Sequence, residues 1–189
     1  MTPTASAALD DAVAAFVAGL LPEVEALAAN VRGIDTSRLR SDVVVDAYNL
    51  ACGFIDADGL HTDDELWALI RAFGHQVKAD LGRATPRALR DAGLVAGRRS
   101  YLERPSTLLD LLVRADARDG GARAGTYARR AAQIGHAIAS LDLLPSRTEL
   151  DAVERFRGMV QTTLDTARGG EPGAGSPIAP APAGGPTPA

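Results

Sequence analysis

Apolar residues recur at three- and four-residue spacing along most of this chain, the signature of helices that each bury one face. Between Ser37 and Ile55 the set Leu39, Val43, Ala47, Leu50, Ala51 and Phe54 forms such a stripe. Asp58-Gly59 ends it, because glycine readily takes the left-handed conformation that caps helices. A second stripe starts at Thr62 and carries Leu66, Leu69, Ile70, Phe73 and Val77. A short helix follows Thr85-Pro86, and another follows Arg104-Pro105-Ser106 with Leu108, Leu111, Leu112 and Ala115 as its inward face. Gly120-Gly121 breaks the chain before a long helix over Arg123–Leu141. Pro145-Ser146 opens the last helix, whose stripe is Leu150, Val153, Phe156, Val160 and Leu164. Two N-terminal helices, Ala7–Leu20 and Glu23–Val31, complete the set. No useful length alternates as a strand would. The pattern predicts an all-α, compact bundle of about eight helices.

Proline placement sharpens these boundaries. Pro3, Pro22, Pro86, Pro105 and Pro145 all fall where a helix begins or the chain enters one. Proline inside a helix costs ~3 kcal/mol, so Pro22 predicts a break between the two N-terminal helices. Downstream, Gly169–Ala189 holds six Gly, six Pro and five Ala. Such a stretch buries too little apolar surface to offset its ordering entropy and reads as a disordered tail or linker. Residues 1–168 then form a single helical domain, and 169–189 the tail.

Composition narrows the class. Aromatic residues make up only 4% of the chain, so the core must be built from Leu, Val, Ile and Ala. The net charge of −4 offers no basic excess to neutralise phosphates, which weighs against nucleic acid as a partner. Lys78 is the single lysine; arginine carries the positive charge, a usage that fits a GC-rich bacterial genome. One cysteine, Cys52, excludes an intrachain disulfide and a multi-cysteine zinc site. Asp10 and Asp11 interrupt the N-terminal apolar stretch, so it does not read as a signal peptide. No uninterrupted apolar run reaches the roughly 18 residues of a membrane span. The expected location is cytoplasmic.

The chemistry worth pursuing lies in two related segments. Ala47–Leu66 and Ala131–Leu150 align without a gap so that Asp58 falls on Asp142, Leu60 on Leu144, Thr62 on Ser146 and Glu65 on Glu149. The match suggests one helix–acidic turn–helix unit used twice, with the helices around Leu50–Phe54 and Ile134–Ile138 packed near each other. The first turn is not an EF-hand: counting from Asp56 puts Leu60, His61 and Trp67 where a calcium loop needs an oxygen ligand, Gly and Glu. Thr62–Glu65 and Ser146–Glu149 are instead capping boxes, in which hydroxyl and carboxylate satisfy backbone N–H groups reciprocally. Capping alone is the favoured reading. The alternative is capping combined with a divalent-cation site of calcium type or a partner site built from Asp56, Asp58, Glu65, Asp142 and Glu149, since carboxylate oxygens suit hard cations.

The phrase FIDADGLHTDDELWAL, with its counterpart AIASLDLLPSRTEL, resembles the tellurite-resistance TerB-like helical domains over roughly Ser37–Leu164. The resemblance implies a compact helical fold with two related halves and an acidic cluster suspected of holding divalent cations. The matching positions are Asp58, Gly59 and Glu65, then Asp142 and Glu149. Leu143 stands where a second glycine is expected, and no acid precedes Asp142 as Asp56 precedes Asp58, which argues against a symmetric two-part metal site. TerB-like domains also resemble non-catalytic modules joined to other domains, and the tail fits the start of such a join, for instance to an AAA-type ATPase.

Other candidates are weaker. His61, His75 and His136 lack zinc-binding spacing; His136, aligned with Cys52, reads as a buried, hydrogen-bonded histidine. Asp116 and Asp119 read as a helix end, Arg98-Arg99 and Arg129-Arg130 as solvated faces, and Cys52 as core. No phosphate-cradling loop, nucleophile elbow or metalloprotease motif occurs. The expected function is a non-enzymatic protein-interaction or regulatory module tethered to a partner by its tail. A divalent-cation binder is the alternative, and a hydrolase using Asp58 and Glu65 ranks third.

Overall fold

The computed structural model describes residues 3–29, 36–77, 81–142 and 147–169. Among the described residues eight α-helices follow one another: α1 (Pro3–Ala29), α2 (Leu39–Ile55), α3 (Asp63–Phe73), α4 (Pro86–Asp91), α5 (Ser100–Glu103), α6 (Thr107–Asp119), α7 (Arg123–Ala139) and α8 (Arg147–Gly169). Single 3₁₀ turns lie at Thr36–Arg38 and Leu81–Arg83. No strand occurs among the described residues, as the periodicity requires. The tail beyond Gly169 and the Ser146 end of the second capping box lie outside the described residues.

Local chemistry sets most boundaries. Thr62, Thr85 and Ser106 cap α3, α4 and α6 by accepting the backbone N–H of Glu65, Ala88 and Leu109. Each cap is worth ~1 kcal/mol. Gly120 ends α6 in the left-handed conformation (φ 74°), which costs a residue without Cβ nothing.

The N-terminus departs from expectation. One helix runs straight through Pro22 instead of two helices flanking it. Pro22 deprives the carbonyl four residues back, that of Ala18, of its N–H partner. Both residues sit on the exposed face, where water can satisfy that carbonyl. On the opposite face Phe16, Val17, Leu20, Val24 and Ala28 stay buried through the proline, so packing holds the two halves in line. The segment Ala7–Ala29 is also apolar enough, by length and composition, to cross a membrane, although charged residues interrupt it. In this fold its apolar face packs against α7, α2 and α3.

Helices α1, α2 and α7 form the centre, with α8 laid against α7 and α3 covering α1 and α2. Gly135 of α7 is the closest point. A Cβ there would lie 2.6 Å from Val153 Cγ2 of α8 and 3.0 Å from the Phe54 ring of α2. The helices around Leu50–Phe54 and Ile134–Ile138 therefore do meet. From this junction aromatic rings step across the core: Phe54 to Phe156 (centroids 5.8 Å apart), Phe156 to Tyr127 (6.4 Å) and Tyr127 to Phe16 (5.4 Å). The first and last of these are edge-to-face pairs, which add ~0.5–1.5 kcal/mol each beyond their burial.

Helix α6 buries a different face from the one its apolar pattern suggested, whereas α8 buries its expected stripe apart from Leu150. In α6 the buried residues are Leu109, Leu112, Val113 and Asp116, while Leu111 is 46% exposed. In α8 Glu149 goes inward and Leu150 outward, at 1% and 40% exposure. His136, expected in the core, lies on the exposed flank of α7. The reasons lie in the polar groups described next.

Gly135→Ala should lower the unfolding free energy by ~1–3 kcal/mol, because neither Val153 nor the Phe54 ring can retreat from a packed core. Phe54→Ala should cost ~3 kcal/mol or more. Urea denaturation checks both; a loss under ~0.5 kcal/mol for Gly135→Ala would mean that the three helices are not tightly joined there.

Candidate functional site

The first acidic turn is held by a dense set of hydrogen bonds. The Asp56 carboxylate accepts from the backbone N–H of Arg99 (3.0 Å) and contacts His61 Nε2 (2.8 Å), while its carbonyl accepts from the Arg99 guanidinium (2.9 Å). Asp58 accepts from the N–H of Leu60 (2.9 Å) within a tight local turn. Gly59 and His61 both have positive φ, at 77° and 47°. For histidine that conformation is uncommon and costs on the order of 1 kcal/mol. It is held by Asp56 on the ring and by Arg90, whose Nε and Nη2 donate to the His61 carbonyl at 3.0 and 2.9 Å. Arg90 also pairs with Asp63. Asp56 and Asp58 therefore have structural work in the turn.

Glu65 behaves as the capping box demands. Thr62 Oγ1 accepts from the Glu65 N–H (3.3 Å), and Glu65 Oε2 accepts from the Thr62 N–H (2.6 Å) and hydroxyl (2.8 Å). The side chain is 1% exposed, and its second oxygen, Oε1, has no hydrogen-bond partner among the described residues. Burial pushes its carboxyl up to about 7, against the hydrogen bonds from Thr62 and helped by the charges of Glu149 and Asp142. Of the five acids singled out from sequence, the fold thus brings Glu65, Asp142 and Glu149 within electrostatic reach and employs Asp56 and Asp58 elsewhere. Among the described residues no group of three or more His, Cys, Asp or Glu has the geometry of a metal site.

Asp116 and Asp119 close the end of α6. Asp116, fully buried, accepts from the Ala124 N–H (2.8 Å) and from Arg123 (3.1 Å); Asp119 accepts from Arg123 (2.8 Å) and the Gly121 N–H (2.9 Å). This buried carboxylate fixes which face of α6 turns inward. Cys52 is core, its thiol pushed up to about 12 by burial and thus protonated at neutral pH.

A site missed from sequence lies on the other side of α2. A groove of about 810 Å³ opens between α2 and α6, bordered by α5 and by Val24 of α1. Val45 (40% exposed) and Leu111 (46%) stand on its two walls. Its lining includes Asp46, nearly buried, whose Oδ2 accepts from the Tyr127 hydroxyl at 2.6 Å. Ser106 Oγ lies 3.2 Å from the same hydroxyl. Burial raises the Asp46 carboxyl, and the hydrogen bonds from Tyr127 and Ser106 oppose the rise. One signal was available in the sequence: Asp46 interrupts an otherwise apolar inward stripe on α2.

No family model, curated protein or solved structure matches this chain.

The raised Glu65 carboxyl has a pH signature. Its folded value, about 7, lies above the ordinary 4.5. The folded state therefore holds a proton that the unfolded state has lost, and this group's contribution is complete below pH 4.5 and lost as pH rises through 7. Wild-type stability should fall by on the order of 2 kcal/mol across that window relative to Glu65→Gln, which keeps an acceptor for Thr62 without the charge. Urea denaturation at a series of pH values reads the difference; a constant offset between the two proteins would show that Glu65 does not titrate there.

Proposed function

We propose that this chain is a non-enzymatic protein-interaction module of the TerB-like kind, with the α2–α6 groove as its docking face. The observation that carries the reading is the groove's form: an open, mostly apolar channel whose walls present Val45 and Leu111 to solvent beside the polar Asp46. Concave apolar surface with a few convergent polar groups is the usual make-up of a binding site. The carboxylates best placed for catalysis argue the other way for chemistry. Of the Asp58–Glu65 pair, Glu65 is 1% exposed, so a substrate does not reach it without opening the fold. A tether through the Gly169–Ala189 segment to an effector such as an AAA-type ATPase belongs to the same proposal and rests on the sequence resemblance.

Panning a displayed library of random peptides against the full chain tests the docking reading. The expected result is a set of peptides that compete with one another and bind at least tenfold more weakly to Leu111→Asp or Val45→Asp. Both positions are exposed, so their substitution should change stability by no more than ~0.5 kcal/mol. Peptides that bind elsewhere, or none at all, would defeat the assignment.

A second reading is favoured by one observation, the convergence of Asp142 and Glu149 on the buried Glu65. A divalent cation such as calcium bound among them would relieve their repulsion. At 100 times its dissociation constant it would add ~2.7 kcal/mol of stability, lost in Asp142→Asn. If the acids serve only caps, millimolar calcium or magnesium should leave the melting temperature unchanged, and this is the expected result.

A further inference from the structure

Resting on the docking reading, we infer that the groove takes a cationic side chain of a partner polypeptide, a lysine or arginine between apolar residues, with its charge on Asp46. The buried acids of this fold are compensated in different ways. Asp116 has Arg123 and a backbone N–H, and Asp56 has the Arg99 backbone N–H and His61. Asp46 has a hydroxyl partner only: Tyr127 donates to it at 2.6 Å, and Ser106 Oγ lies 3.2 Å from that same hydroxyl. Among the described residues no Lys, Arg or His forms an ion pair with it. A nearly buried carboxylate without a counter-charge is expensive, and a cation supplied from outside relieves the cost.

The groove supplies the route. Asp46 lines it, and Asp42 lies one helical turn away on the same side of α2, exposed at the rim. Asp42 and Asp46 oppose one base in the lining, Arg104, which is itself exposed and makes no ion pair with either. The groove therefore carries a net negative charge flanked by Val45, Leu111 and Leu108. Its occupant needs a cation at its centre and apolar groups on both sides. The chain's own Gly169–Ala189 segment contains neither lysine nor arginine, so that segment does not supply the charge. Because Tyr127 donates to one oxygen of Asp46, an incoming ammonium or guanidinium would meet a carboxylate already fixed in orientation.

The test uses two small probes and the panned peptides. N-butylguanidinium and the neutral, near-isosteric N-butylurea are titrated into the full chain labelled for nuclear magnetic resonance. The cation should shift the methyl signals of Val45 and Leu111 and the carboxyl resonance of Asp46 saturably. The urea should bind at least tenfold more weakly. Asp46→Asn should erase the preference, and Arg104→Gln, which removes the competing base, should strengthen binding of the cation. Panned peptides lost with Leu111→Asp should share a lysine or arginine at one position. Equal binding of the two probes, or an undiminished preference in Asp46→Asn, would overturn the inference, and the probe comparison in wild type holds even if that variant is destabilised. Groove-binding peptides without a shared cation would sink the charge assignment while leaving the docking face intact. A groove that holds the guanidinium but selects no peptide would overturn the polypeptide occupant together with the docking reading.

Discussion

The close approach of three helices at Gly135 sets the geometry on which everything else in this fold rests. Because α7 has no side chain there, Val153 of α8 and the ring of Phe54 on α2 can both reach its backbone. The chain has few aromatic residues to fill a core, and four of them are spent in one continuous contact from Phe54 through Phe156 and Tyr127 to Phe16. Tyr127 is the end of that series with a polar tip. Its ring is locked by Phe16 and Phe156, so its hydroxyl has little choice of direction and meets Asp46. A packing constraint in the centre thus fixes the orientation of a carboxylate at the floor of the groove.

Buried acids divide the molecule into a sealed side and an open one. On the sealed side, Glu65 caps α3, with the charges of Asp142 and Glu149 acting on it. Desolvation and like charge together favour the protonated form, so this region stores a proton more readily than it could expose a reactive carboxylate. On the open side, Asp46 is held by the Tyr127 hydroxyl and faces the groove. Hydroxyl donors orient a carboxylate without neutralising it, which leaves its charge available to a ligand. This contrast is what supports the proposal of binding at the groove rather than at the acidic turns.

Exposed apolar residues follow from the same polar demands. Asp116 turns inward to receive the N–H of Ala124 and the guanidinium of Arg123, and the rotation of α6 that permits this carries Leu111 to the surface. In α8 the inward Glu149 has the equivalent consequence for Leu150. One buried carboxylate per helix therefore redirects an apolar neighbour outward. At Leu111 the result is one wall of the groove.

The periodicity of the sequence by itself determined the helical class, the position of α2, α3, α4, α6, α7 and α8, and the capping residues of α3, α4 and α6, because these depend on interactions within a few residues of each other. Thr62 with Glu65, Ser106 with Leu109, and Gly120 at the end of α6 are all local matters. Pro22 was misread for the same reason: its local cost is real, but only the packed face of Phe16, Val17, Leu20 and Val24 shows that the helix withstands it. The inward face of α6 could not be read either, since Leu108, Leu109, Leu111, Leu112 and Val113 offer apolar atoms in nearly every direction. There the tertiary structure decided, through a carboxylate seeking donors on another helix. It also decided which acids meet, bringing Asp142 and Glu149 towards Glu65, and it created the groove, whose walls come from elements far apart in sequence. Local spacing encodes where helices start and stop; which face each one buries is settled by partners that only folding brings near.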